Sequence, residues 1–205
     1  EELGGSGMDR ETQMIAHEEL AKVLPGATIA IATSQCGIEI IDSHGTEEQK
    51  QKYLPKCVTG EWLSGMAFTE PGTGGDPKQL VTTAREEADC YVLNGVKRFI
   101  TNAAYPGPLV IYAKDADDGS CSAYIIEKFC EGYSLSSPWD KVGFKGSPVF
   151  DVFLDEVKVP KSNRVGEKGF GFGGEERVGG AGGADGERLS SDGRLLGRRK
   201  LLLRV

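Results

Sequence analysis

Two short stretches carry residue types that could meet a ligand. The first is AFTEPGTGGDP, residues 67–77, which sets a hydroxyl (Thr69), a carboxylate (Glu70) and a run of glycines and prolines directly after an apolar segment. Glycine lets a backbone amide come close to a bound group, and successive amides in a turn form an anion-binding concavity. Three uses stay open on these residues alone: a phosphate cradle, a backbone contact with another ligand, and a plain turn. Two phosphate-binding arrangements do not fit. A P-loop ends in a lysine–hydroxyl pair that this stretch lacks, and a dinucleotide-binding turn opens a helix where this text has Pro77 among β-prone neighbours. Glu70 reads as a solvated loop carboxylate. The second stretch is KRFITNA, residues 97–103. Alternate side chains of a strand share a face, so Phe99 and Thr101 are expected side by side, an aromatic plane next to a hydroxyl. Such a pair can stack on and hydrogen-bond a planar heterocycle. It equally describes a core aromatic and a surface threonine.

The elements that must position these stretches fall into two groups. Asp9 can cap a helix over 9–24, whose stripe of Met14, Ile15, Leu20, Val23 and Leu24 ends at Pro25-Gly26. Residues 27–44 are small and apolar throughout, which suits a buried helix closed by Gly45, although the β-branched content also permits a strand. Thr46 and Gln49 form a capping box for a short helix that Pro55 limits. From Trp62 the text turns β-prone, in runs at 62–69, 80–86, 90–93, 96–101, 109–113, 122–127 and 149–154. Asn94-Gly95 reads as a type I′ hairpin turn between two of them. The expected fold class is α+β: helices first, then an antiparallel barrel or sandwich.

Net charge is −7 at neutral pH, which argues against nonspecific nucleic-acid binding. No apolar run approaches the roughly 20 residues that span a bilayer, and no secretion signal is visible. The five cysteines form no CxxC pair, and neither histidine stands at metal-ligand spacing from them, so reduced thiols in a cytosolic or organellar protein are expected, without a metal. The chain opens at Glu1 without methionine, which suggests a missing natural start. From about Gly173 the text becomes Gly- and Arg-rich, and reads as a tail without folded role or as a reading-frame error.

The succession GTEEQKQKYLP, GEW, AFTEPGTGGD, YVLNGVKRFITNA, KVGFKGSPVFDVFLDEVKVP and GEKGFGF, from about Glu1 to Phe172, resembles the acyl-CoA dehydrogenase family. The resemblance implies a partial N-terminal helical domain (1–61), a middle β-barrel domain carrying flavin and acyl-CoA contacts (62–165), and the start of a C-terminal region with the aberrant tail (166–205). It implies FAD-dependent α,β-dehydrogenation of an acyl-CoA thioester, with electrons passed to an electron-transfer flavoprotein. It also implies a homo-oligomer, dimer or tetramer, in the bacterial cytoplasm or mitochondrial matrix. Carried over residue by residue, the cofactor contacts are Met66, Phe68, Thr69, Gly74, Gly75, Phe99, Ile100 and Thr101. Thr69 would hydrogen-bond the pyrimidine side of the flavin, and Phe99 would cover the ring. Gly75 replaces the serine that the family usually sets against the acyl chain, and Met66 replaces a common aromatic. The family's catalytic base is a C-terminal glutamate, so no catalytic residue is assigned in this chain. Two other readings remain: a non-catalytic fragment, and an oxidase or monooxygenase of the same fold.

Overall fold

The computed structural model describes residues 3–74 and 76–172, with the short segments 188–189 and 195–196. Residues 1–173 form one compact unit and residues 174–205 another. In the second, Arg188–Leu189 pairs antiparallel with Leu195–Leu196; the rest of the Gly/Arg-rich text lies outside the described residues.

Helices lead, as expected. Asp9 accepts a hydrogen bond from the Thr12 amide at 2.8 Å and starts α1 (Arg10–Val23). Pro25 ends that helix and also opens α2 (Pro25–His44), where its missing N–H costs nothing because the first amides of a helix have no internal partner. The Thr46/Gln49 capping box opens α3 (Glu47–Val58). Gln49 also donates to the carbonyls of Ser162 and Arg164 at 2.6 and 2.9 Å, fastening the helix start to a distant turn. Pro55 does not limit α3, which runs on to Val58. Burial of Tyr53, Leu54 and Cys57 against the sheet holds the last turn in place despite the lost amide. No helix among the described residues is long and apolar enough to cross a membrane.

Among the described residues eight strands make one mostly antiparallel sheet: β1 (Gly65–Ala67), β2 (Thr83–Glu86), β3 (Cys90–Thr101), β4 (Pro108–Asp115), β5 (Cys121–Glu127), β6 (Tyr133–Leu135), β7 (Val149–Pro160) and β8 (Arg164–Val165). The order is β6-β7-β3-β2-β4-β5-β8, with β1 on the free end of the β4 edge that also carries β2. Alternation sorts the core into two layers. Leu109 and Ile111 of β4 and Tyr124 and Ile126 of β5 face inward to Leu93 of β3 and Val152 and Leu154 of β7, so the sheet wraps over its own inner face. Val110, Ala123 and Ile125 face outward to Ile41 of α2 and Tyr53 and Leu54 of α3.

The expected hairpin at Asn94-Gly95 is corrected. β3 runs straight through these residues, pairing with β2 on one side and β7 on the other. The ladder to β7 shifts register between Leu93 and Gly95, and Asn94 exchanges hydrogen bonds with Glu156, side-chain amide to carboxylate at 2.6 Å and backbone N–H to amide oxygen at 2.9 Å. Glycine is needed at 95 because a Cβ would stand 2.8 Å from the Thr82 Cα. A bulge and a tight turn call for the same residues, and long-range pairing decides between them.

Gly37 makes a comparable approach: a Cβ there would meet the Ser64 hydroxyl and lie 2.8 Å from the Gly65 carbonyl, so α2 rests directly on the start of β1. Gly37→Ala is therefore expected to lower stability by about 1–3 kcal/mol. Gly74→Ala, over open space, should stay within about 0.5 kcal/mol of the unsubstituted chain. Urea unfolding of the two variants checks this, and equal midpoints would refute the close packing.

Candidate functional site

Residues 67–77 begin at the last residue of β1. Strands β1 and β2 both run parallel to β4 along one edge, with Ala67 opposite Ile111 and Thr83 opposite Lys114. Between them β4 advances only past Tyr112 and Ala113, so residues 68–82 have to stand off the sheet as a loop. Glu70 fastens it from inside. Its carboxylate accepts from the Val81 and Thr82 amides at 2.6 and 3.0 Å and pairs with the Lys97 ammonium at 2.7 Å, both side chains essentially without solvent contact. Glu70 and Thr73 also exchange backbone bonds of 2.9 and 3.1 Å, which closes the turn around Pro71-Gly72. The expectation that Glu70 is solvated is overturned: it is 2% exposed.

The second stretch is tied to the first by the same lysine. The Lys97 ammonium also donates to the Phe68 carbonyl at 3.2 Å, and the Arg98 amide donates to the Thr69 carbonyl at 2.7 Å. The β3–β7 register shifts again between Lys97 and Ile100, and Phe99 has φ 59°, a left-handed value that costs a non-glycine residue about 1–3 kcal/mol. The simple alternation expected to pair Phe99 with Thr101 is therefore interrupted. Phe99 turns outward, about half exposed, whereas Lys97 is fully buried and Ile100 belongs to the inner core. Asn102, also left-handed at φ 63°, donates to the carbonyls of Ala30 on α2 and Ser64 ahead of β1 at 2.8 and 3.0 Å.

The result is a cleft of about 350 Å³ with Thr69 to Gly74 on one side and Arg98 and Phe99 on the other. Of the residues singled out from sequence, Thr69, Gly74 and Phe99 meet there. Met66 lies in β1 opposite Val110, and the Phe68 ring stands edge-on to Tyr112 at 5.9 Å. Ile100 and Thr101 pair with Phe150 and Val149 on β7, and Ile100 turns its side chain into the core, away from the cleft. Gly75 lies outside the described residues. Lys97 and Asn102 went unnoticed as positioning residues. Lys97 carried a signal, since it falls in phase with the inward Tyr91 and Leu93 and a lysine there demands a buried anion.

Electrostatics keep this anchor charged. Burial alone would raise the Glu70 carboxyl, but hydrogen bonds from Lys97, Thr82 and Val81 outweigh it and hold the group below its ordinary value. Glu70 is thus spent on the loop and is not available as a base.

Two family descriptions match the chain: the acyl-CoA dehydrogenase N-terminal domain over residues 1–61 and the acyl-CoA dehydrogenase middle domain over residues 65–157. The chain belongs to the acyl-CoA dehydrogenase family. It is 42% identical over 175 residues to the caffeyl-CoA reductase-Etf complex subunit CarC of Acetobacterium woodii, matching 83% of this chain and 46% of that protein. It is 40% identical over 176 residues to a short-chain specific acyl-CoA dehydrogenase of Clostridium acetobutylicum, with the same coverage. The solved acyl-CoA dehydrogenase of Bacillus anthracis complexed with FAD superposes with a TM-score of 0.78 at 40% identity, over 83% of this chain and 30% of that one. The chain spans about half the length of the curated relatives it matches.

Lys97→Met leaves the Glu70 carboxylate buried and unpaired, so it is expected to cost about 3–5 kcal/mol, and Lys97→Met combined with Glu70→Gln should cost less than Lys97→Met alone. A double variant at least as unstable in urea would refute the pairing. Acid should also act through Glu70. Its folded value lies below that of the unfolded chain, so its stabilisation is present above the ordinary carboxylate value of 4.5 and is lost as pH falls through the folded value. Glu70→Gln should accordingly show a shallower loss of stability between about pH 6 and about pH 3 than the unsubstituted chain.

Proposed function

We propose that this chain is the N-terminal (1–61) and middle (62–165) part of an FAD-dependent acyl-CoA dehydrogenase, with residues 166–205 holding the start of a C-terminal region and the aberrant Gly/Arg-rich tail. The observation that carries the reading is the bond from the Arg98 amide to the Thr69 carbonyl, which sets the two motif stretches on one cleft with a half-exposed aromatic ring in its wall. A flavin fits the residues present. Open space lies over Gly72 and Gly74, so a flat ring can approach the backbone, and the cleft volume falls within the range of small-molecule sites. The relative solved with FAD supports this cofactor.

When bound, FAD supplies a two-electron acceptor for hydride. The protein's part is placement and polarity. Met66, Phe68 and Thr69, at and just after the end of β1, would hold the ring, and the Thr69 hydroxyl would donate to its pyrimidine side, where hydrogen bonds favour negative charge on reduction. Phe99 would cover the ring and keep water out, Thr101 and the Ile100 backbone would complete the segment, and Gly74 and Gly75 would offer backbone to cofactor and acyl chain. Gly75 has no side chain, so the hydroxyl contact usual in the family is lost at that position. Removal of the α-proton needs a carboxylate; Glu70 is engaged by Lys97, Val81 and Thr82 and is not proposed for it, and the resemblance to the family implies a glutamate of the C-terminal domain as the base.

The substrate class is an acyl-CoA thioester, oxidised between its α and β carbons. The A. woodii relative is named as a reductase subunit in a complex with Etf, which supports an electron-transfer flavoprotein as redox partner. Assembly as a dimer or tetramer, in a bacterial cytoplasm or mitochondrial matrix, completes the proposal. In the test, the full chain is loaded with FAD, freed of excess cofactor and read by its absorbance at roughly 450 nm per protein. Phe99→Ala and Thr101→Ala should each weaken binding about tenfold, or about 1.4 kcal/mol. Unchanged occupancy in both variants, or none in the unsubstituted chain, overturns the assignment.

A further inference from the structure

The left-handed backbone at Phe99 needs support from outside β3. That support is a small cluster packed on Phe99 and Arg98 and outside the lining of the cleft. The Trp139 indole stands edge-on to the Phe99 ring, with centroids 5.1 Å apart and planes at 64°. Its Nε1–H donates to the Asp151 carboxylate at 2.9 Å, and its backbone amide donates to the Val149 carbonyl at 2.9 Å. Asp151 also pairs with the Arg98 guanidinium at 3.0 Å, and the guanidinium carbon lies 5.3 Å from the Trp139 ring and 5.9 Å from the Phe99 ring. The Asp151 backbone amide is itself held by the Ser136 hydroxyl at 2.9 Å. One almost fully buried carboxylate therefore grips both groups that flank Phe99. A second cleft, of about 290 Å³, opens on Trp139 between Pro138, Lys141 and Pro148. Packing leaves that part of the indole free, and the hydrogen bond to Asp151 fixes its direction.

We propose that Trp139 is the second aromatic layer of the cleft wall, backing Phe99 rather than lining the cleft itself, and that Asp151 is the positioning residue that holds the Trp139 indole and Arg98 against it. The inference rests on the flavin reading above. The Trp139 indole, edge-on to Phe99, adds apolar contact behind that ring and limits its movement. Arg98, lying over both rings, adds cation–π attraction that holds the pair together.

With FAD bound against Phe99, an indole one ring behind it would give an electron to the photoexcited flavin and take it back, quenching its emission, whereas a phenyl ring would not. The experiment measures emission decay of bound flavin in the full chain loaded with FAD. Trp139→Phe should lengthen the decay severalfold. Trp139→Tyr, which restores an electron-donating ring, should recover part of the quenching. Asp151→Asn should split the decay into several phases as the indole loses its fixed direction. Trp62→Phe, on the Lys56 side of the helices, should leave the decay unchanged. Flavin retained at full occupancy with the same decay in Trp139→Phe and Trp139→Tyr overturns this inference alone. Failure of the unsubstituted chain to retain flavin overturns the flavin reading and this inference together.

Discussion

The Glu70–Lys97 ion pair is the constraint on which the cleft depends. It lies almost wholly out of water, joins the loop after β1 to the middle of β3, and takes up two amides and a carbonyl that the sheet does not use. Removing two charges from water costs several kcal/mol apiece, and their attraction returns that only when geometry and further hydrogen bonds are good. Its net stabilisation can therefore be small while its positional effect is large. Any arrangement that separates the pair leaves a buried charge alone. The loop consequently has one inexpensive place to be, directly beside Arg98 and Phe99.

The remaining contacts fit around that anchor. Asn102 draws α2 and the chain ahead of β1 toward the end of β3, and Gly37 allows the helix to settle on the strand without a side chain between. Gly95 does the same for β3 as it crosses Thr82. Two close backbone approaches and one side-chain clamp thus set how β1, β3 and the loop meet. Rigid elements hold the functional backbone from behind, and among the described residues Thr69 to Gly74, Arg98 and Phe99 line the cleft.

Much of this was legible from residues, for local reasons. The Asp9 cap, the Thr46/Gln49 box and the β-prone runs are near-neighbour effects, and they appear close to where the text placed them. The errors share a cause as well. Asn94-Gly95 serves a bulge as readily as a hairpin, Pro55 is tolerated where tertiary burial holds the helix, and a carboxylate in a glycine-rich turn looks solvated until its lysine partner is brought in from β3. Each depends on residues far away in sequence. The strands β6 and β8 were missed because two or three residues carry no readable period.

The sequence by itself determined the helix-then-strand order and the two stretches suited to a ligand, because capping, β-propensity and turn chemistry act over a few residues. Only the tertiary structure decided that these stretches share one cleft, that Glu70 is an anchor, and that Ile100 faces the core while Phe99 faces out. Those outcomes follow from strand register and from a buried charge needing its partner. Neither is written in any short stretch of the chain.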